Sequence, residues 1–247
     1  MKYFILALLV IACSSDAPKG KSEAESLYKE AQELMEAERY ILATEKLNQI
    51  KTQHPYSFYA TPAELLQADV LFMQENYIES AAAYLLFRDF HPKHEKIPYV
   101  VYRIAESYYK QIPDTIDRDL EPATESIKYY QEVLQKYPDS SYVVDTEKRI
   151  NSANKMLREK DLYVADFYFK THEYSAARYW YLDILENHQD EKTRNRAMTR
   201  TILASSKVKD WAGCADYIEK YEALVDKASQ KEINLVKNKC MKKSNRE

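Results

Sequence analysis

Glycine is almost missing from this chain: two residues, Gly20 and Gly213, in 247. Average usage near ~7% would supply roughly 17. Phosphate-cradling loops, type I′ hairpins and dinucleotide-binding turns all draw on residues that tolerate positive φ. The shortage excludes a nucleotide cradle and argues against a sheet-rich fold. No charge of one sign dominates either. Lys and Arg number 36 against 39 Asp and Glu, a formal net charge of −3, so a chain that coats nucleic acid is not expected. Tryptophan is down to two residues and cysteine to three. What remains is an all-α protein, and 247 residues suffice for one or two compact domains or for an array of repeats.

The chain opens MKYFILALLVIAC, one cation at Lys2 ahead of an apolar run from Tyr3 to Ala12. A run of about ten residues is half of what spans a bilayer, and the pattern is that of a secretory signal. Residues 1–12 read as a signal peptide. Val10-Ile11-Ala12-Cys13 resembles a bacterial lipobox, which implies lipidation of Cys13 and a new N-terminus there; the alternative is a plain signal that ends beside a cysteine. Residues 13–22 then form a polar tether with one Pro and one Gly. Lipoprotein sorting, as this resemblance implies it, retains Asp after the cysteine in the inner membrane; Ser14 in that place favours the outer membrane. For Cys214 and Cys240 the expectation is a buried thiol and a tail thiol, with a disulfide as the alternative that an oxidising compartment permits.

A period of 37 runs through the rest. Ala31, Ala68 and Ala105 keep that step, as do Tyr40 and Tyr77, Pro55 and Pro92, Ala165 and Ile202, and Tyr174 and Trp211. Each unit reads as two helices. Leu27, Ala31 and Leu34 make one face of the first; Tyr40, Ala43, Leu47 and Ile50 face it from the second, and Pro55 follows where the helix must stop. This order resembles the tetratricopeptide repeat, three residues longer than its usual ~34. Five units fit, roughly 23–55, 58–92, 96–138, 142–188 and 190–224, a helical-hairpin solenoid. The third carries extra residues around Gln111 to Glu121. Val143 to Phe169 has neither Pro nor Gly and predicts one long helix, and Ser229 to Lys243 a terminal one. Lysines at 237, 239, 242 and 243 complement a helix C-terminus or touch anionic headgroups. Such arrays leave an extended surface for partners.

Chemistry is hard to find. His91 and His94 stand three apart across Pro92 with no further ligand near, so a metal site is not expected and a solvated loop is. His54, His172 and His188 fall near helix ends. Asp114 and Asp117 could do acid–base work in principle, yet Asp119 before Leu120-Glu121-Pro122 reads as an N-cap. No catalytic residue, cofactor or enzymatic activity is expected. Tyrosine is abundant at 22 residues. Tyr40, Tyr77, Tyr130 and Tyr174 read as core; the dense set Tyr99, Tyr102, Tyr108 and Tyr109 allows either core or a peptide-binding groove.

The order of Cys13, tether and first repeat, then His54-Pro55-Tyr56-Ser57, resembles the BamD family of outer-membrane assembly lipoproteins. So do His91-Pro92-Lys93-His94 running on to Ile97, Tyr99, Val100 and Tyr102, and Asp117-Arg118-Asp119 followed by Tyr137-Pro138-Asp139-Ser140-Ser141-Tyr142. The resemblance covers about residues 13–224. It implies a non-enzymatic scaffold at the periplasmic face of the outer membrane, in the complex that folds and inserts β-barrel proteins. It implies that residues 23–138, repeats one to three, receive unfolded barrel clients. Residues 139–225, repeats four and five, would hold the periplasmic domains of the barrel-forming assembly protein, and 226–247 form a basic helix or tail. Tyr99, Tyr102, Arg103 and Arg118 are the candidate client-binding residues, Arg118 being equally placed for an ion pair with Asp117 or Asp119. A periplasmic repeat adaptor for cell-wall synthesis or division is the alternative function.

Overall fold

The computed structural model describes residues 22–245. The signal segment, Cys13, all of the tether but Ser22, and the last two residues lie outside the described residues. Among these there are eleven α-helices, a 3₁₀ turn and no strand. The helices are α1 (Glu23–Glu36), α2 (Tyr40–Gln53), α3 (Ala60–Met73), α4 (Tyr77–Phe90), α5 (Ile97–Lys110), α6 (Glu121–Lys136), α7 (Val143–Lys170), α8 (Tyr174–Asn187), α9 (Glu191–Lys207), α10 (Trp211–Tyr221) and α11 (Lys227–Ser244), with the 3₁₀ turn at Glu222–Leu224. No described helix is long and apolar enough to cross a membrane. The order is that of tetratricopeptide-like helical hairpins, five helix pairs and a terminal helix.

Local chemistry sets the helix ends. Ser22, Asp190, Asp210 and Asp226 cap α1, α9, α10 and α11, each side chain accepting an N–H of the first turn. At α6 the cap position falls on Leu120, which makes no such bond; Asp119, expected as the cap, sits one residue earlier and accepts the Glu121 N–H at 3.1 Å. Helices α1, α3, α7 and α9 end in a left-handed residue that is never glycine: Glu38, Glu75, His172 and Lys209, φ 57° to 67°. The residue after each donates back across the turn, Arg39 N–H to the Leu34 carbonyl at 2.7 Å and Asn76 N–H to Leu71 at 3.0 Å, which is the Schellman arrangement. These tight reversals make the hairpins. The chain therefore gets its left-handed turns without the glycines it lacks. At Gly213 a Cβ would stand 2.5 Å from Asp210 Oδ2, so a side chain there would make the capping carboxylate shift.

Two compact units divide the chain after Ser107. In the first, Ala31 of α1 meets Ala43, Leu47 and Ile50 of α2 and Ala63, Leu66 and Val70 of α3; small residues let the backbones close up while the larger ones fill the seam. Tyr84 and Phe87 of α4 are buried alongside. In the second unit a core of Ala165, Ala177, Tyr181, Ile184, Ile202, Ile218 and Ile233 runs through α7 to α11, and Leu120, Ala123 and Ala153 form a smaller one. Of the four tyrosines assigned to cores, Tyr130 is fully buried, while Tyr40, Tyr77 and Tyr174 are half-buried.

The two late cysteines overturn their expectation. Cys214 of α10 and Cys240 of α11 are joined in a disulfide, Cα atoms 5.8 Å apart and both residues buried. The packing of α11 along α10 brings them together; a separation of 26 residues gave no hint of it.

Candidate functional site

In the first unit a polar network is laid across three helices. Asp69 on α3 accepts from the Tyr84 hydroxyl of α4 and, at 2.6 Å, from the Tyr99 hydroxyl of α5. Arg103, one turn along α5, donates its Nε–H to the Tyr84 oxygen at 3.1 Å and lays its guanidinium 3.5 Å from the centre of the Phe72 ring. Burial raises both phenols above their ordinary range, and the negative charge of Asp69 adds to it. For Arg103 burial works against the charge, but Tyr84, Tyr99 and Asp69 outweigh it and hold the guanidinium above its usual pKa. The two phenols and the guanidinium therefore keep their protons near neutrality. They are suited to holding shape and offering hydrogen bonds, not to passing protons.

A groove of about 400 Å³ opens beside this network, lined by Tyr28, Tyr59, Leu65, Asp69 and His94. The Tyr28 and Tyr59 rings stand 5.5 Å apart, and burial first, then Asp69, raises the Tyr28 phenol. Rigid aromatic area beside a carboxylate matches what extended peptides use for docking.

The second unit carries the same network 97 residues later. Asp166 of α7 accepts from the Tyr181 hydroxyl of α8 at 2.6 Å, as Asp69 does from Tyr84. Where Tyr99 stood, Arg196 of α9 now donates both Nε–H and Nη2–H to Asp166, at 3.1 and 2.6 Å. Arg200 takes the place of Arg103 and lies 4.6 Å from the Phe169 ring, which replaces Phe72. The helix-end histidines repeat too: His91 pairs with Glu64 at 2.8 Å and His188 with Asp161 at 2.7 Å. A groove of about 710 Å³ is lined by Arg158, Asp166, Arg196, Arg200, Asp226 and Glu232 among others.

Of the four candidate residues, the structure brings Tyr99 and Arg103 together in the network. Tyr102 is half-buried on the same helix. Arg118 lies exposed between α5 and α6, in the other unit, and its carbonyl accepts from Lys160 Nζ. Asp117 is held below the ordinary carboxylate range by the Thr115 side chain in open solvent, a turn acceptor and a poor proton donor. His94 Nδ1 accepts the Lys96 N–H at 3.1 Å, and among the described residues no cluster of three or more His, Cys, Asp or Glu could hold a metal ion. Sequence reasoning missed Asp69, Phe72 and Tyr84. The repeated spacing Asp69 to Tyr84 and Asp166 to Tyr181 was the available signal.

A family profile described as YfiO, outer membrane lipoprotein, matches residues 20–220. A Rickettsia prowazekii protein named outer membrane protein assembly factor BamD is 29% identical over 203 residues, covering 79% of this chain and 80% of its own length. A Vibrio cholerae protein of the same name is 26% identical over 237 residues, covering 90% and 95%. Among solved structures, the TPR2AB-domain:pHSP90 complex of yeast Sti1 superposes with a TM-score of 0.43 at 16% identity, over 90% of this chain and 100% of that one.

Proposed function

This chain belongs to the YfiO family of outer membrane lipoproteins, and from that premise we propose that it is a non-enzymatic scaffold for outer-membrane protein assembly. In this reading Cys13 carries the lipid that holds the body at the periplasmic face of a Gram-negative outer membrane. Residues 23–138 receive unfolded β-barrel clients, and residues 139–225 hold the periplasmic domains of the barrel-forming assembly protein. The observation that carries the proposal is the profile match over residues 20–220, joined by relatives named as outer membrane protein assembly factors along most of their lengths. The Cys214–Cys240 disulfide adds support, since such bonds persist outside the reducing cytosol.

The first-unit groove gives the client reading its physical form. An unfolded barrel protein exposes strands whose edges pair with anything available; an aromatic groove with hydrogen-bonding groups holds an extended segment without adding a strand to it. Tyr28, Tyr59 and Asp69 present that surface. Tyr99 and Arg103 act behind it, by fixing Asp69, and Tyr102 and Arg118 remain proposed client contacts.

Affinity purification from detergent-solubilised envelopes followed by mass spectrometry tests the proposal. Recovery of a multi-domain barrel protein is expected. Recovery of cell-wall synthases alone would refute it in favour of an adaptor for wall synthesis or division.

A further inference from the structure

Three aromatic side chains at one end of the first two hairpins are far more exposed than their chemistry favours: Tyr56 at 100%, Phe58 at 85% and Phe90 at 75%. Phe58 and Phe90 line one groove of about 560 Å³ together with Pro62, Pro92, Lys93 and His94. Hairpin packing does not call for them. Tyr84 recurs 97 residues later as Tyr181, because that position is core; Phe90, the last residue of α4, is answered by Asn187, the last residue of α8. Phe58 meets the Tyr59 ring edge-on at 5.6 Å, but most of this aromatic surface stays open.

The described chain begins beside it. Ser22 caps α1, Glu23 Oε2 lies 3.5 Å from His54 Nε2, and His54 is two residues from Tyr56. Cys13 precedes Ser22 by nine residues, a stretch that reaches at most about 30 Å. An anchor there keeps a bilayer within that distance of Ser22, at the end of the first unit that carries Tyr56, Phe58 and Phe90. The opposite ends of the same hairpins, where Ile41 is 75% exposed, stand about 20 Å farther along a 14-residue helix.

We infer that Tyr56, Phe58 and Phe90 form a membrane-interface contact that seats this end of the first unit in phospholipid headgroups. The inference rests on the anchoring reading of Cys13. Aromatic rings settle at the headgroup level of a bilayer, and burying ring area there releases water from apolar surface. Lys93 and Lys96 can meet phosphates, but Asp89 and Glu95 lie among them, so the contact depends on the rings more than on charge. Its effect is to fix how the first-unit groove stands over the membrane, which a tether alone leaves free.

The test uses the full mature chain on vesicles of phosphatidylethanolamine and phosphatidylglycerol with brominated acyl chains. Intact mass reports acylation, and so judges the anchoring reading by itself. Phe58→Trp, Phe90→Trp and, as control, Ile41→Trp each add one indole to the constant background of Trp180 and Trp211; all three sites are exposed enough to leave the fold unchanged, which thermal melts verify. Bromolipid is expected to quench the emission added at positions 58 and 90 several-fold more than that at 41, whether or not the mass shows an acyl group. Equal quenching at all three sites, or none at 58 and 90, overturns the inference. So does emission at 58 and 90 that responds to an unfolded barrel protein and ignores lipid, since the surface is then a peptide site.

Discussion

Asp69 draws hydroxyls from two other helices onto one carboxylate, and the titration of those hydroxyls gives the arrangement a measurable signature. Burial, and then the Asp69 charge, raise Tyr84 and Tyr99 above the ordinary phenol value of 10.0. A group raised in the fold keeps its proton while the unfolded chain loses it. Its stabilisation is therefore complete below pH 10 and is lost as pH climbs from there toward the folded value. Thermal melting should stay level toward pH 10 and then fall, and Tyr84→Phe should make that fall shallower. Identical alkaline slopes would take Tyr84 out of the account. Ala68 is fully buried on α3, and its backbone carbonyl accepts from the Ser80 hydroxyl of α4 at 3.4 Å. Ala68→Trp should overpack that seam by roughly 1–3 kcal/mol and lower the melting temperature; an unchanged melt would show that Ala68 does not face its partner helix. At this scale the sequence was partly legible. The 37-residue step picks out Ala31 and Ala68 because close-packed helices repeat their small residues. It passes over Asp69, because a polar residue on an inward face looks like a solvated one until its partners are known.

The helices were legible for reasons that act locally. Proline after His54, His91 and Tyr137 stops α2, α4 and α6, and the absence of Pro and Gly from Val143 to Phe169 leaves α7 uninterrupted. The sharp turns were less legible, since Glu38, Glu75, His172 and Lys209 sit where glycine is usual. Each holds a left-handed conformation that costs an L-residue about 1–2 kcal/mol. Glu75→Gly should therefore stabilise the chain by on the order of 1 kcal/mol, less the backbone entropy that glycine adds to the unfolded state; a lowered melting temperature would show that the Glu75 side chain outweighs its strain. The disulfide lay beyond sequence reading, since only the packing of α11 on α10 decides that Cys240 meets Cys214. Closing a loop of that length stabilises by roughly 3–4 kcal/mol on the chain-entropy view. Cys240→Ser should lower the melting temperature and raise amide exchange in α11 before other helices. Uniform exchange would mean that Ile233 and its neighbours hold α11 without the bond.

For the molecule as a whole, the 97-residue correspondence of Glu64 with Asp161, Asp69 with Asp166, Phe72 with Phe169 and Arg103 with Arg200 means that two units were built on one plan and then diverged. Tyr99 against Arg196 is the clearest divergence: a phenol beside the first carboxylate, a cation beside the second. On the proposed reading, the phenol suits a weakly polar segment on the first unit and the cation a charged surface on the second. No described helix is long and apolar enough to cross a membrane, and the proposed reading assigns attachment to an acyl chain on Cys13, with a partner as the competing tie. Carbonate extraction separates them, because it strips proteins held by partners and leaves those held by acyl chains, each worth ~0.8 kcal/mol per buried CH₂. The unsubstituted chain should remain with the membrane pellet after the wash, and Cys13→Ala should move to the supernatant while keeping its melting temperature, since Cys13 stands outside the described helices, the first of which is Glu23–Glu36. If Cys13→Ala stays in the pellet, the acyl chain is not what holds this protein to the membrane.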